Sequence, residues 1–154
     1  MAPFDQAFGA GFDRLAAWSD LLDNINVFPV ADGDTGRNLV VSLAPLKGFR
    51  MESDTDRLTD QLLRAARGNS GNIATQFFSE FIKTPVTPIA KALRQGTRAA
   101  HQAVRTPQDG TMLTVFDTLA AALADCTRTD DITDVPALLD GLQTTVQNLS
   151  LIHI

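Results

Sequence analysis

The chain has 154 residues, 44% of them hydrophobic, enough for one domain with its own core. No apolar run nears the roughly 20 residues of a membrane span, and Met1-Ala2-Pro3-Phe4-Asp5 shows no basic region ahead of an apolar stretch, so neither a span nor a secretory signal is expected. A formal net charge of −5 with no evident basic stripe argues against a nucleic-acid partner, and the single cysteine, Cys126, excludes an internal disulfide and suits a reducing cytoplasm.

Residues 4–25 predict an amphipathic helix, because Phe4, Phe8, Phe12, Leu15, Leu22 and Ile25 recur at steps of three, four or seven. Phe28-Pro29 ends it, since the proline pushes Phe28 toward extended backbone. An acidic, glycine-bearing loop follows at 31–36. A short helix then starts between Thr35 and Asn38, buries Leu39, Val40 and Leu43, and closes at Pro45 and Gly48. Ser53 or Asp54 caps a third helix with Leu58, Leu62 and Ala65 on one side, stopping at Gly68. After the small loop Arg67-Gly68-Asn69-Ser70-Gly71-Asn72 comes a fourth helix that buries Ile73, Phe77, Phe78 and Phe81. A proline-bounded turn covers 84–87. Thr87 and Pro88 open a fifth helix with Ile89, Leu93, Ala100 and Val104 at helical spacing. Beyond the loop at 107–110, Met112, Phe116, Leu119 and Leu123 mark a sixth. A polar loop at 129–134 precedes a seventh, opened by Pro136 and carrying Leu138, Leu142, Val146 and Leu149. One period across seven segments predicts an all-α antiparallel bundle or barrel.

Three loops combine the residue types that phosphate and metal chemistry needs, and each stands at a helix start: Asp32-Gly33-Asp34-Thr35-Gly36, Gly68-Asn69-Ser70-Gly71 and Asp109-Gly110-Thr111-Met112-Leu113. Helix N-termini offer unpaired N–H groups and a positive dipole end, small residues let phosphate oxygens approach, and Ser70 and Thr111 add hydroxyls. Asp32 and Asp34 repel each other unless a cation lies between them, which fits magnesium shared with substrate phosphates. Each loop alone also has a plain structural reading: Asp-Gly is a common turn, the second loop a helix cap, and Thr111 a first-turn residue. Only the combination favours function.

Other chemistries fit less well. An EF-hand loop begun at Asp32 needs an acid where Leu43 stands, and no His-Cys cluster exists for zinc. The Walker loop, the dinucleotide fingerprint and the serine-nucleophile elbow are absent. His101 reads as a surface residue among alanines. The first loop nearly matches the Asp-x-Asp-Gly-Thr motif of haloacid-dehalogenase-type phosphatases, but Thr and Gly are in the wrong order, Pro29 interrupts the preceding run and no strand–helix alternation follows.

The stretches Asn-Val-Phe-Pro-Val-Ala-Asp-Gly-Asp-Thr-Gly at 26–36, Ala-Arg-Gly-Asn-Ser-Gly at 66–71 and Asp-Gly-Thr-Met-Leu-Thr-Val at 109–115 resemble the DhaL domain, the nucleotide-binding domain of dihydroxyacetone kinases and of the fatty-acid kinase catalytic subunit. The first two motifs are closer to the fatty-acid kinase branch, and the likeness spans roughly residues 10 to 149. The resemblance implies an antiparallel helical barrel with ATP at one end. It implies magnesium on Asp32 and Asp34, the residues on which catalysis rests, with Asn26 carried over as a third ligand. It implies that Thr35, Asn38, Gly68, Asn69, Ser70 and Gly71 lie at the phosphates, and Thr111, Met112 and Leu113 near the nucleotide, the apolar pair toward the base. The acceptor pocket would lie on a partner: a fatty-acid-binding protein in one branch, a dihydroxyacetone-binding subunit in the other. A homodimer is compatible with it.

The sequence departs from the family pattern at single residues and at its C-terminal end. Ala31 replaces a usual proline, and Asn72 a usually apolar residue. Arg37 reads slightly better as a solvent-facing residue than as a phosphate ligand. The family's further glycine-rich stretch and last helix do not follow the seventh, so the expectation is a DhaL-like domain over 1–149, incomplete at its C-terminus, with a tail of unclear origin at 150–154. Three functions follow in order: a fatty-acid-kinase-like domain, a dihydroxyacetone kinase subunit, and a helical interaction module without catalysis.

Overall fold

The computed structural model of the chain describes residues 3–26, 31–50, 55–83 and 89–126. They form α1 (Pro3–Asn24), α2 (Thr35–Leu43), a 3-10 turn (Ala44–Gly48), α3 (Thr55–Ala65), α4 (Gly68–Lys83), α5 (Ile89–Gln102) and α6 (Met112–Cys126), with no strand among the described residues. The domain is all-α, as the periodicity predicts. The side chains of Phe4 and Cys126, the Phe28-Pro29 stop, the caps at Ser53 or Asp54 and at Thr87, the turn at 84–87, the seventh helix, and the tail at 150–154 lie outside the described residues.

Each apolar stripe explains its helix. Phe8, Phe12, Leu15 and Leu22 of α1 pack against the core, and Leu39 and Leu43 of α2, Leu58 and Leu62 of α3 and Leu113, Phe116 and Leu123 of α6 are buried in it. Two details differ from the expectation. Ile25 continues the α1 period but is 59% exposed, one residue past the helix end. The small loop at 68–71 is not a loop before α4 but its first turn.

α4 is the central helix, packed on α2, α3 and α5. Phe77 stacks on Phe116 with centroids 4.0 Å apart and 12° between planes, and meets Phe78 edge-on at 5.1 Å. Phe8 of α1 reaches Phe49, Phe78 and Phe81 edge-on. Such pairs add about 0.5–1.5 kcal/mol each beyond area burial. An apolar cavity of about 450 Å³ lies beside these rings, between α1, α4 and α6. None of the three glycine loops lines it, so it is separate from the loop end.

Gly36 of α2 lies against Ser19 of α1, and Lys47 pairs with Asp13, so α1 and α2 run antiparallel. The Ser70 hydroxyl donates to the Thr35 carbonyl at 3.5 Å, which sets the start of α4 beside the start of α2. The Asn72 amide donates to the Ala103 carbonyl at 3.3 Å, tying the first turn of α4 to the end of α5. The short 103–111 connection then starts α6 at that same end.

α5 corrects the reading of the charge pattern. Its inner face is small and apolar, with Ala90, Ala92, Leu93, Gly96, Ala99 and Ala100 buried. Its outer face carries Lys91, Arg94, Arg98 and His101, spaced three, four and three apart, the first three exposed and His101 half-exposed. A basic stripe therefore exists, although the net charge is negative.

Candidate functional site

The first loop turns at Gly33, which takes φ +62°, a backbone region closed to most side chains. Gly68 at φ +60° and Gly110 at φ +75° do the same in the other two loops, so each motif holds one left-handed glycine just ahead of, or at, a helix start. No residue other than glycine has positive φ among the described residues.

Asp34 is the N-cap of α2, yet its side chain makes no capping hydrogen bond. Asp23 of α1, thirteen residues before Gly36, makes it instead. Its Oδ1 accepts from the backbone N–H of Gly36 at 2.7 Å and of Arg37 at 3.2 Å, and its Oδ2 accepts from Arg37 Nε at 2.8 Å. The Arg37 guanidinium also donates to the Gly33 carbonyl at 2.9 Å. Arg37 thus faces solvent, as expected, but is held across the turn rather than free. The Asp23 side chain is only 13% exposed and its bond to the Gly36 N–H is part-buried, whereas Arg37 is 69% exposed and its ion pair is open to solvent screening. The anion position at the start of α2 is filled by a carboxylate of the chain itself.

That cap relieves Asp34 of the capping task. Asp32 is exposed and Asp34 half-buried. The Asn26 amide donates to Asp32 Oδ1, so the three residues expected to hold magnesium include one contacting pair. Among the described residues no three His, Cys, Asp or Glu side chains converge as a metal cage. Magnesium commonly needs no such cage: it is bound by one or two carboxylates and completed by water and substrate phosphates, and oxygen donors such as Asp32 and Asp34 fit that requirement.

The second loop is joined to the first. Asn38 of α2 lies against Gly68 where a Cβ would stand, and Ser42 lies against Gly71 in the same way. The Ser42 hydroxyl is fully buried and accepts from the Arg67 N–H at 2.9 Å. Gly71 is therefore required by helix packing. The first hydrogen bond into α4 runs from the Gly71 N–H to the Arg67 carbonyl at 3.1 Å. The N–H groups of Gly68, Asn69 and Ser70 find no acceptor among the described residues, and Asn69 is exposed. This helix start, unlike that of α2, is open.

The third loop is built differently. The Leu113 N–H donates to Thr111 Oγ1 at 3.3 Å, Thr111 Oγ1 donates to the Gln108 carbonyl at 2.8 Å, and the Gly110 N–H donates to Thr114 Oγ1 at 2.9 Å. Thr111 is the N-cap of α6, its hydroxyl engaged in the turn. Met112 is half-buried against the core and Leu113 is 2% exposed inside it, so the Leu113 side chain belongs to the core rather than to an open nucleotide face. No hydrogen bond joins residues 109–113 to the first two loops among the described residues. His101, expected at the surface, sits there with Nε2 at 3.0 Å from both Asp117 oxygens.

Asp23 and Ser42 were missed by sequence reasoning. Asp23 is one polar residue on an amphipathic helix, and nothing local ties it to Gly36. Ser42 gives no sign that it is buried.

A family model for the DAK2 domain matches residues 29–148. The chain belongs to the DAK2 domain family. The DhaL-type resemblance of the motifs is thereby shown, and with it a kinase-related, nucleotide-binding class of domain. Among similar proteins, an uncharacterized protein of Staphylococcus saprophyticus is 32% identical over 90% of this chain and 28% of its own length. Protein YloV of Bacillus subtilis is 37% identical over 84% of this chain and 26% of its own length. An uncharacterized protein of Staphylococcus aureus is 33% identical over 79% and 25%. This DAK2 chain thus spans about a quarter of the curated relatives it matches. No helix of the described residues is long and apolar enough to cross a membrane.

Proposed function

We propose that this DAK2 chain is the magnesium–ATP-binding domain of a cytoplasmic phosphotransferase, most similar to the fatty-acid kinase branch, whose acceptor is presented by a separate fatty-acid-binding protein. The observation that supports this reading best is the juxtaposition at one end of the bundle. The open start of α4, with three unpaired N–H groups, lies beside the Asp32–Asp34 turn, joined through Ser70 and Thr35 and through Asn38 and Gly68.

Each group has a defined task in phosphoryl transfer, where catalysis rests on positioning and charge stabilisation. Asp32 and Asp34, with Asn26 beside Asp32, would hold magnesium, which supplies charge neutralisation at the phosphate oxygens when bound. The N–H groups of Gly68, Asn69 and Ser70 donate to phosphate oxygens along the helix dipole, and the Ser70 hydroxyl adds a donor. Gly68 leaves room for the Asn38 side chain, which stands where its Cβ would be. Asp23 caps α2 and holds Arg37, which keeps the Asp32–Asp34 turn in place without using the Asp34 carboxylate as a cap.

Calorimetric titration of ATP into the chain, with and without magnesium, tests this. Magnesium-dependent binding that Asp34→Asn weakens at least about tenfold, with helical circular dichroism unchanged, is the expected result. Equal ATP affinity in the variant and the original chain would show that the turn is structural only.

A further inference from the structure

We propose that the outer face of α5 is a docking surface for an acidic face of a partner protein. The proposal does not rest on the nucleotide reading and would stand without it. From residue 81 to residue 108 the chain contains Lys83, Lys91, Arg94, Arg98 and Arg105 and no Asp or Glu, whereas all eighteen acids and only eight of the thirteen bases lie elsewhere. The fold turns this bias into geometry. At about 100° per residue, Lys91, Arg94, Arg98 and His101 fall within one narrow arc of α5, opposite its buried alanines, and run for about 15 Å.

Among the described residues no ion pair joins Lys91, Arg94, Arg98 or Arg105 to an acid. The one acid facing this stripe, Asp117 of α6, is engaged by His101. Arg94, Arg98, His101 and Asp117 line a shallow groove of about 590 Å³ between α5 and α6. Like charges at three- and four-residue spacing destabilise a helix by a few tenths of a kcal/mol per pair. The stripe therefore carries a cost in the isolated domain that an opposing row of carboxylates removes.

The shape selects the class of polyanion. A bilayer needs apolar side chains to insert, and among the described residues the exposed large hydrophobics are Trp18, Leu21, Ile25, Val41 and Leu63, none of them on α5. α5 carries no Phe, Trp or Tyr to serve as a stacking platform for a nucleic-acid strand. A protein presenting carboxylates along one helix or edge matches both the length and the narrow width of the stripe. Such complementarity acts chiefly on encounter rate and salt dependence.

The probe is a labelled helical peptide of about 20 residues with glutamates at every third and fourth position, followed by fluorescence anisotropy at about 20 mM and about 150 mM salt. The expected result is binding at low salt, weakened at high salt. Arg94→Glu with Arg98→Glu should reduce it about tenfold or more, whereas Arg14→Glu with Arg64→Glu, on α1 and α3, should leave it within about twofold. Arg94→Gln with Arg98→Gln repeats the test if the reversal disturbs the helical dichroism. Absence of binding by the original chain, or equal losses in the two pairs of variants, overturns the proposal. So does stronger binding to phosphatidylglycerol vesicles or to a DNA duplex at equal charge, since either would assign the face to another class of partner.

Discussion

The starts of α2 and α4 lie side by side and solve the same problem in opposite ways. Each follows a left-handed glycine and leaves several N–H groups without intrahelical acceptors. At α2 the carboxylate of Asp23 fills the position from the neighbouring helix. At α4 nothing among the described residues does. A helix start closed by its own protein is a structural joint, and one left open beside the Asp32–Asp34 turn is where a ligand can be received. The difference separates the motif residues that build the site from those that can meet a nucleotide.

The comparison can be broken by substitution. The largest effect is expected for Gly71→Ala, because the added Cβ enters the fully buried Ser42 side chain that holds the Arg67 N–H. Overpacking there should cost about 2–3 kcal/mol in a urea unfolding curve, and an unchanged midpoint would show that the α2–α4 joint is loose. Asp23→Ala removes the borrowed cap and frees Arg37. A loss of about 2 kcal/mol is expected, chiefly from the part-buried bond to the Gly36 N–H, and a loss below about 0.5 kcal/mol would mean that α2 caps itself through Asp34. Ser70→Ala sharpens the contrast with the smallest stability change, under about 1 kcal/mol, since its bond to Thr35 is long. If the α4 start receives phosphate, ATP affinity falls in that variant while the unfolding midpoint barely moves.

Much of this was legible in the chain. The helix boundaries follow from apolar spacing and from glycine and proline punctuation, and all three loops were found as motifs. The roles inside those motifs were less legible. Gly68 and Gly71 stand three residues apart in one motif, yet Gly68 takes a left-handed turn while Gly71 lets two helices touch. Thr111 and Ser70 are both hydroxyls at helix starts, but only Thr111 is engaged in capping. Leu113, part of the third motif, is buried in the core. The basic face of α5 was readable at three- and four-residue spacing but was hidden behind a negative total.

The sequence by itself determined the all-α class, the order of the elements and the family, because these rest on local spacing and short motifs that need no neighbour. Only the tertiary structure decided which helix start is closed and which is open. That choice depends on Asp23 reaching Gly36 across a helix hairpin and on Ser42 meeting Gly71 between α2 and α4. Contacts between residues far apart in the chain leave no local periodicity, so packing alone selects them.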